Sequence, residues 1–447
     1  MQCWVTPATD VSCAGYPTTY LSVTPYGRCL LWFVLQGLSS ATDPPQSSVR
    51  CTQSMAAIPR CVGEAVWGMC VADAMSMPVH WYYNIQDIRG DFGGWITGFQ
   101  APQSRHPSSI LTLSNPAGSG RSNRSLGNQP EVVGNVILHD KLKFWKTPGR
   151  SVHYHQGLQA GDNTLNTLCA LRAAQTLVQA KYSNVGEPRA RALVLSDYVK
   201  FMTTPGMHRD TYAESFHRAF FADWMELRPI CPNEVLEFAQ DRYRQWMNAP
   251  HADSQLDAIG CLPMAIPFVL LSATASKDEA VTAAVDFVRL THPHPNLDVY
   301  VTLYASALHA TLNGACLRQQ AEAALKSSAL NAWDNCQKYM HRAARFPKSS
   351  EERLRVHQSA VEALGLACYI KGALSSLFYL AHEFCDDFCG GILANTNCGG
   401  ENCNRGAALG ALLGAQAGRG SGAVPQEWKE GLRSAGEQIR VILEGLA

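Results

Sequence analysis

The stretch Asn395-Thr-Asn-Cys-Gly-Gly-Glu-Asn-Cys-Asn-Arg-Gly-Ala-Ala-Leu-Gly-Ala-Leu-Leu-Gly-Ala415 joins a polar segment to a helix of small residues. The glycine pair at 399–400 predicts a tight turn, because glycine adopts backbone conformations that a Cβ obstructs. Residues 401–404 then fall on the first helical turn, where free N–H groups and the helix dipole face outward. Glycine recurs every fourth residue behind them, at Gly406, Gly410 and Gly414. Three glycines in register predict a bare face against which another helix packs closely.

The composition is that of a globular chain. It has 447 residues, 46% of them hydrophobic, with 37 acidic and 37 basic side chains. This length is sufficient for a large buried core. A net charge of zero argues against sequence-independent binding of nucleic acid, which requires a basic face. No apolar run reaches the roughly 18 residues of a membrane span. We therefore expect no membrane span and a cytoplasmic location.

Sixteen cysteines in a chain of this length do not indicate a small disulfide scaffold. Most lie in apolar, helix-like surroundings, as reduced and buried thiols do. Four of them follow one another closely, at Cys385, Cys389, Cys398 and Cys403. Their spacing matches no common zinc finger, and the glycine pair interrupts the last gap. We expect structural thiols rather than a four-cysteine zinc centre.

Residues 1–60 differ from the remainder of the chain, since they are rich in Ser, Thr and Pro and carry few charges. Their apolar run at 29–35 has the length of a signal h-region, but it begins late and lacks a clear basic n-region. An organelle-targeting segment, a disordered leader and a mispredicted start are the alternatives. We place the folded domain at residues 61–447.

Helical periodicity dominates that domain. Apolar residues recur at three- and four-residue steps, and strand-like alternation is scarce. The pattern predicts an all-α fold, a single compact bundle of more than ten helices. The segments predicted to be helical include 63–78, 169–180, 210–224, 233–246, 278–290, 298–312, 353–366, 367–381 and 426–446. Residues 102–130 instead form a long loop insertion with three arginines and no acid, which suits a phosphate-bearing ligand or a solvated insertion.

Two shorter segments place polar residues next to a predicted helix. In Gly161-Asp162-Asn163-Thr164, either Asp162 or Thr164 would serve as the N-cap of the helix that follows. His153 and His155 would point to the same side of an extended segment, which suits a polar ligand, although two surface histidines fit the pattern as well.

These segments resemble the ADP-ribosylglycohydrolase superfamily. The family's metal-binding Gly-Gly-Asp-x-Asp-Thr segment, which leads into a Gly/Ala-rich helix, is similar to residues 399–404. Its Thr-Asp-Asp-Thr magnesium motif corresponds to residues 161–164. Its first signature, a helix ending in Gly-Asp-Ala-x-Gly, is similar to residues 72–76, with Asp73 at the Asp position. Seven residues later the family has a functional Glu, and His80 stands there in this chain.

The resemblance implies a hydrolase that acts on an ADP-ribosyl bond, with small-molecule or protein-linked ADP-ribose as its partner. Hydrolysis of a glycosidic bond uses carboxylates and an oriented water. The implied catalytic residues are Asp162, Glu401 and His80, and the implied Mg²⁺ ligands are Asp162, Glu401 and Asp73. The implied substrate-binding residues are Asn163, Thr164, His155, Asn402, Asn404 and Arg405.

The chain also departs from the family pattern, because Asn163, Glu401 and Cys403 each replace an Asp. Sulfur is a poor ligand for magnesium. The resulting motif forms are similar to the branch of the superfamily that includes the jellyfish J1 crystallins, which are members recruited as lens proteins. Two hypotheses follow: a hydrolase with a degenerate magnesium site, or a non-catalytic relative. The relative would be an ADP-ribose-binding pseudoenzyme or a J1-crystallin-like structural protein.

Overall fold

The computed structural model describes residues 57–121, 130–149, 151–420, 422–433 and 435–446. The helices of the first part are α1 Ala57–Ser76, α2 Ile85–Phe92, α3 Val132–Asn135, α4 Leu142–Trp145, α5 Leu165–Tyr182, α6 Arg189–Thr203, α7 Ser215–Leu227, α8 Pro232–Met247, α9 Cys261–Leu271 and α10 Lys277–Thr291. Those of the second part are α11 Leu297–Leu312, α12 Leu317–Lys326, α13 Trp333–Ala343, α14 Glu351–Gly365, α15 Ile370–Glu383, α16 Phe388–Asn397, α17 Asn402–Ala417, α18 Gln426–Glu430 and α19 Ala435–Glu444.

The all-α prediction is confirmed. Within the described ranges, β-pairing is limited to three isolated bridges. No helix in those ranges is long and apolar enough to cross a membrane. The targeting or leader hypothesis concerns residues 1–60, of which 1–56 lie outside the described residues, and α1 already begins at Ala57.

Helices α1 and α17 pack together through their backbones. A Cβ on Gly410 would lie 2.1 Å from the carbonyl oxygen of Gly68, and a Cβ on Gly68 would lie equally close to the carbonyl oxygen of Gly410. One turn further on, a Cβ on Gly414 would lie 2.2 Å from the carbonyl oxygen of Glu64. No real side chain tolerates such distances, so this approach requires glycine on both helices. The predicted bare face is therefore confirmed, and α1 is the helix that occupies it.

The turn before α17 has the conformation predicted from its glycines. Gly399 and Gly400 have φ values of 65° and 62°, in the left-handed region that favours glycine. The turn is held by Gly400 N–H, which donates to the Tyr82 carbonyl at 2.8 Å, and by Glu401 N–H, which donates to the Leu366 carbonyl at 2.9 Å. These bonds place the first turn of α17 against the end of α1.

Two predicted helices have different bounds in the structure. The segment 210–224 does not begin as a helix: residues 210–214 are irregular, and α7 starts at Ser215. The segment 426–446 forms two helices, α18 and α19. The loop 102–130 contains a short 3₁₀ turn at Leu111–Leu113, and its residues 122–129 lie outside the described residues.

Candidate functional site

Glu401 stands at the N-cap of α17, where its side chain accepts from the backbone of Asn404. The residue is completely buried. Oε1 accepts from His80 Nε2 at 3.0 Å and from Asn404 Nδ2 at 2.8 Å, and Oε2 accepts from Trp81 Nε1 at 2.6 Å. Burial alone would raise its pKa, but the charge and hydrogen bond of His80 and the bond from Trp81 hold the pKa of Glu401 below its usual value.

Four buried side chains, the first of them Glu401, form a continuous chain of polar contacts. His80 Nδ1 lies 2.7 Å from His155 Nε2, and His155 Nδ1 donates to Asp210 Oδ1 at 2.8 Å. Asp210 also accepts from the backbone N–H of Leu165 at 2.7 Å, so it fixes the start of α5 as well. Burial tends to raise the pKa of Asp210, yet His155 and these hydrogen bonds bring it below the ordinary value. Burial lowers the pKa of His80 despite its contact with Glu401.

Asp73, near the end of α1, is bound entirely to the predicted 161–164 motif. Its Oδ2 accepts from Asn163 Nδ2 and from Thr164 N–H, both at 2.8 Å, and its Oδ1 accepts from Thr164 Oγ1 at 2.6 Å. Burial raises the pKa of Asp73 to about 6, and the three hydrogen bonds limit that rise. Thr164 occupies the N-cap position of α5 as predicted, but its side chain bonds to Asp73 rather than to the helix.

A second carboxylate, Glu214, lies close to Glu401. Asn404 Nδ2 donates to both, to Glu214 Oε1 at 2.6 Å and to Glu401 Oε1 at 2.8 Å. Burial, followed by the negative charge of Glu401, raises the pKa of Glu214 to about 8. The pair therefore holds one ionised carboxylate and one protonated carboxylic acid at neutral pH.

An aromatic cavity of about 430 Å³ is lined by neighbours of this pair, although neither carboxylate belongs to the lining itself. Trp81, which donates to Glu401, forms part of its wall. Tyr212 and Ser215, which flank Glu214 in the chain, line the same cavity, and Glu214 is partly exposed. The loop 102–130 contributes to the wall as well. Three further tyrosines and two arginines also line the cavity: Tyr83, Tyr154, Tyr369, Arg121 and Arg218.

The predicted site residues divide between these places. The structure brings His80, His155, Glu401 and Asn404 into one network, and Asp73, Asn163 and Thr164 into a neighbouring one. Asp162 is apart from both. Its carboxylate accepts from the backbone N–H of Gln159, and it lines a separate cavity of about 260 Å³.

The other two predicted binding residues support the polar turn. Arg405 is fully buried and donates to Asn395 Oδ1 at 2.7 Å and to the Gly399 carbonyl at 2.9 Å. Asn402 Nδ2 donates to the carbonyl of Thr396 at 3.0 Å. Both side chains thus hold the loop from which α17 begins.

The donor set does not fit the magnesium ion that the family pattern implies. Magnesium needs several carboxylate or carbonyl oxygens and keeps bound waters. Both oxygens of Asp73 and both of Glu401 accept from protein donors. Among the described residues, Asp73, Asp162 and Glu401 do not form a group whose ligand atoms lie within 4.8 Å of one another. The three predicted ligands therefore do not converge on one point.

Sequence reasoning missed Asp210 and Glu214. Both lie in the irregular segment before α7, which we had predicted to be helical, and neither belongs to a recognisable motif. The sequence feature that could have indicated them is the pair of acidic residues at positions 210 and 214, which lies just before a helix with regularly spaced apolar residues.

Comparison with known proteins agrees with the fold and the motifs. The family described as ADP-ribosylglycohydrolase matches residues 56–447. Among solved structures, the chain is similar to an "ADP-ribosylglycohydrolase-related protein complex", with 18% identity, 87% of this chain and 97% of that chain covered, and a TM-score of 0.46. No curated protein matches the sequence.

The fold and site are those of an all-α protein with buried carboxylates around the N-terminus of a glycine-rich helix. The family match covers most of the chain. The chain belongs to the ADP-ribosylglycohydrolase family.

Proposed function

We propose that this protein binds an ADP-ribosyl group in the aromatic cavity and hydrolyses its glycosidic bond, with Glu214 as the general acid. The observation that carries the proposal is the carboxyl pair. Glu214 and Glu401 share one amide donor, and the pKa of Glu214 is raised to about 8 while that of Glu401 is lowered. Titratable pairs with pKa values displaced in opposite directions are typical of acid–base catalysis.

The cavity has the chemistry of a nucleotide-sugar site. Its volume falls within the range of small-molecule pockets. Tyr83 and Tyr369 expose about half of their surface, 45% and 54%, and offer rings for an adenine base. Arg121 is exposed at the rim and can pair with a phosphate. Arg218 has a different role, since its guanidinium donates to the carbonyls of Gly118 and Ala213 and so holds the wall.

The proposed reaction uses Glu214 twice. As the bond between the ribose carbon and the leaving atom breaks, the electron pair goes to the leaving atom, and the proton of Glu214 goes with it. A water molecule then attacks the oxocarbenium-like carbon and gives its proton to the Glu214 carboxylate, which restores the starting state. Glu401 is a positioning residue: it donates nothing to the ligand and accepts a hydrogen bond from Trp81, and its negative charge adds to the burial that raises the pKa of Glu214.

A second candidate function is binding without turnover, as a pseudoenzyme or a J1-crystallin-like protein. The specific observation in its favour is that both Glu401 oxygens are engaged by protein donors and the residue has no exposed surface. In this case the cavity would bind ADP-ribose and the carboxyl pair would serve the fold.

One set of experiments separates the two. Full-length protein is incubated without magnesium with peptides ADP-ribosylated on different acceptor side chains, and released ADP-ribose is quantified. Glu214→Gln should lower the rate by about a hundredfold or more, with ADP-ribose affinity in calorimetry changed by less than threefold. Glu226→Gln, an exposed position on the same helix, serves as the control. Binding by the wild type without release supports the second candidate, and an absence of both contradicts the proposal.

A further inference from the structure

The two imidazoles of the buried chain face each other with their lone pairs. His80 presents Nε2 to Glu401 and His155 presents Nδ1 to Asp210, so these two nitrogens carry the protons. The remaining nitrogens, His80 Nδ1 and His155 Nε2, are then both unprotonated and lie 2.7 Å apart. Two lone pairs at this distance repel, and a cation between them removes the repulsion. The cation is either one shared proton or a metal ion.

A sulfur completes a set of metal ligands at the same point. Cys403 Sγ and one ring nitrogen each of His80 and His155 lie within 4.8 Å of one another, and all three residues are buried. Of the described His, Cys, Asp and Glu side chains, no other three form such a group. The cysteines at 385, 389 and 398 are not part of it, so the donor set differs from the four-cysteine arrangement considered from the sequence.

We propose that His80, His155 and Cys403 bind one zinc ion, in place of the family's oxygen-ligated magnesium. Two imidazoles and a thiolate are ligands typical of zinc and are unsuited to magnesium. The ligands come from three separate segments: the 3₁₀ turn that follows α1, the loop before α5 and the first turn of α17. Zinc would therefore connect the parts of the chain that surround the carboxyl pair.

The surroundings of the three ligands suit a zinc site. Zinc-bound histidines usually donate their second N–H to a carboxylate, which fixes the ring and increases its basicity. Here both histidines have that partner, Glu401 for His80 and Asp210 for His155. A buried group of carboxylates also requires positive charge nearby. The zinc ion together with the Cys403 thiolate would add one net positive charge, where no Lys or Arg makes an ion pair with Glu401 or Asp210 among the described residues.

Metal binding requires a small adjustment. Two nitrogens at about 2.0–2.1 Å from a tetrahedral zinc ion lie roughly 3.3 Å apart, so the rings must separate by about half an ångström. Cys403 must lose its proton, as thiol ligands of zinc do. The fourth position then falls to a water molecule.

The first experiment measures the metal in the wild-type, full-length protein. The protein is stripped of metal, incubated with zinc in the presence of a weak competing chelator, desalted and analysed for bound zinc. We expect about one zinc per chain, with an X-ray absorption spectrum of one sulfur at about 2.3 Å and two imidazole nitrogens at about 2.0 Å. Absence of zinc, or a spectrum without sulfur, would overturn the proposal in a sample that is known to be folded.

Variants then assign the ligands. Cys403→Ser and His155→Gln should each reduce bound zinc to well below one per chain, and Cys403→Ser should remove the thiolate-to-metal charge-transfer band of the cobalt-substituted protein. Asp210→Asn should weaken zinc binding about tenfold to a hundredfold through the orientation of His155. Cys398→Ser is the matched control, a buried cysteine at the end of α16, just before α17, and outside the group. Retention of zinc by either ligand variant would overturn the proposal, and none of these readouts depends on hydrolysis.

Discussion

Trp81 belongs both to the polar network around Glu401 and to the wall of the aromatic cavity, and the two regions differ in how far their polar groups are already hydrogen-bonded. In the network, each carboxylate oxygen of Glu401 and Asp73 has at least one protein donor, and the side chains are buried. In the cavity, two tyrosines expose about half of their surface and Arg121 reaches solvent. Groups that are already bound stabilise the fold, whereas groups that are still available can bind a ligand.

The comparison also explains why the motifs alone mislead about roles. The residues that align with the family's catalytic segments mostly form the closed network, and the residues that face the cavity come from a loop and from helix ends without a motif. We therefore expect substitutions in the network to affect mainly stability and substitutions in the cavity to affect mainly binding.

The largest effect is expected for Glu401→Ala. It leaves the N–H groups of His80 and Trp81 buried without their acceptor, and each buried donor left unsatisfied costs about 1–3 kcal/mol. Denaturant unfolding should show a loss of about 3 kcal/mol in the free energy of unfolding. Glu437→Ala, at an exposed site on α19, should change it by less than about 0.5 kcal/mol. Equal free energies of unfolding for the two variants would contradict the structural role assigned to the network.

Gly410→Ala should have the next largest effect, because the network closes only if α1 and α17 touch. The added Cβ would meet the Gly68 carbonyl at 2.1 Å, and overpacking of this kind costs about 1–3 kcal/mol. Gly90→Ala in α2 is the matched control, since a Cβ there meets nothing within 4 Å and alanine favours the helix. Thermal unfolding should show a lower Tm for Gly410→Ala and an unchanged or higher Tm for Gly90→Ala.

In the cavity, Tyr83→Ala should weaken binding with little effect on stability. Its ring is 45% exposed, so its loss removes little core packing, whereas loss of an aromatic contact with a base costs about 1–3 kcal/mol. Calorimetric titration should show about a tenfold or greater rise in the Kd for ADP-ribose. Tyr339→Ala, outside the cavity, should bind as the wild type does. An unaltered Kd in Tyr83→Ala would place the ligand elsewhere.

A pH dependence due to Glu214 is also expected. Its pKa in the folded protein, about 8, exceeds the value of about 4.3 in an unfolded chain. Between these values the unfolded state loses the proton and the folded state keeps it, so this group's contribution to stability is lost as pH rises from about 4 to 8. The Tm of Glu214→Gln should therefore fall less steeply with pH than that of the wild type. Parallel Tm profiles would mean that Glu214 titrates normally.

Much of the fold followed from local sequence features. Positive φ at the glycine pair and a bare face on the helix behind it are requirements of backbone geometry, and both can be read from residue types alone. The start of α5 after Thr164 is another local feature that the sequence predicted. The bounds of α7 did not follow, because Asp210 and Glu214 are fixed by tertiary partners that lie far away in sequence.

The site was harder to predict for the same reason. The family motifs identified Glu401, His80 and Asn163 as candidate site residues through their positions in the sequence alone. Whether a carboxylate is free or fully bound depends on donors from other segments, such as Trp81 for Glu401. For Asp162, the turn before α5 directs the side chain to the backbone N–H of Gln159, which residue type does not reveal.

The contact between Gly68 and Gly410 joins positions that are separated by most of the chain. During synthesis, the glycine face of α1 emerges long before α17, the helix that covers it. Because α1 and α17 are so distant in sequence, the entropy cost of closing the loop between them falls late in folding. The packing of α1 against α17 therefore cannot form until α17 has left the ribosome. We expect the full-length protein to depend on chaperones during expression. Truncated proteins that lack α17 should be degraded by proteases even though nearly all other helices are present.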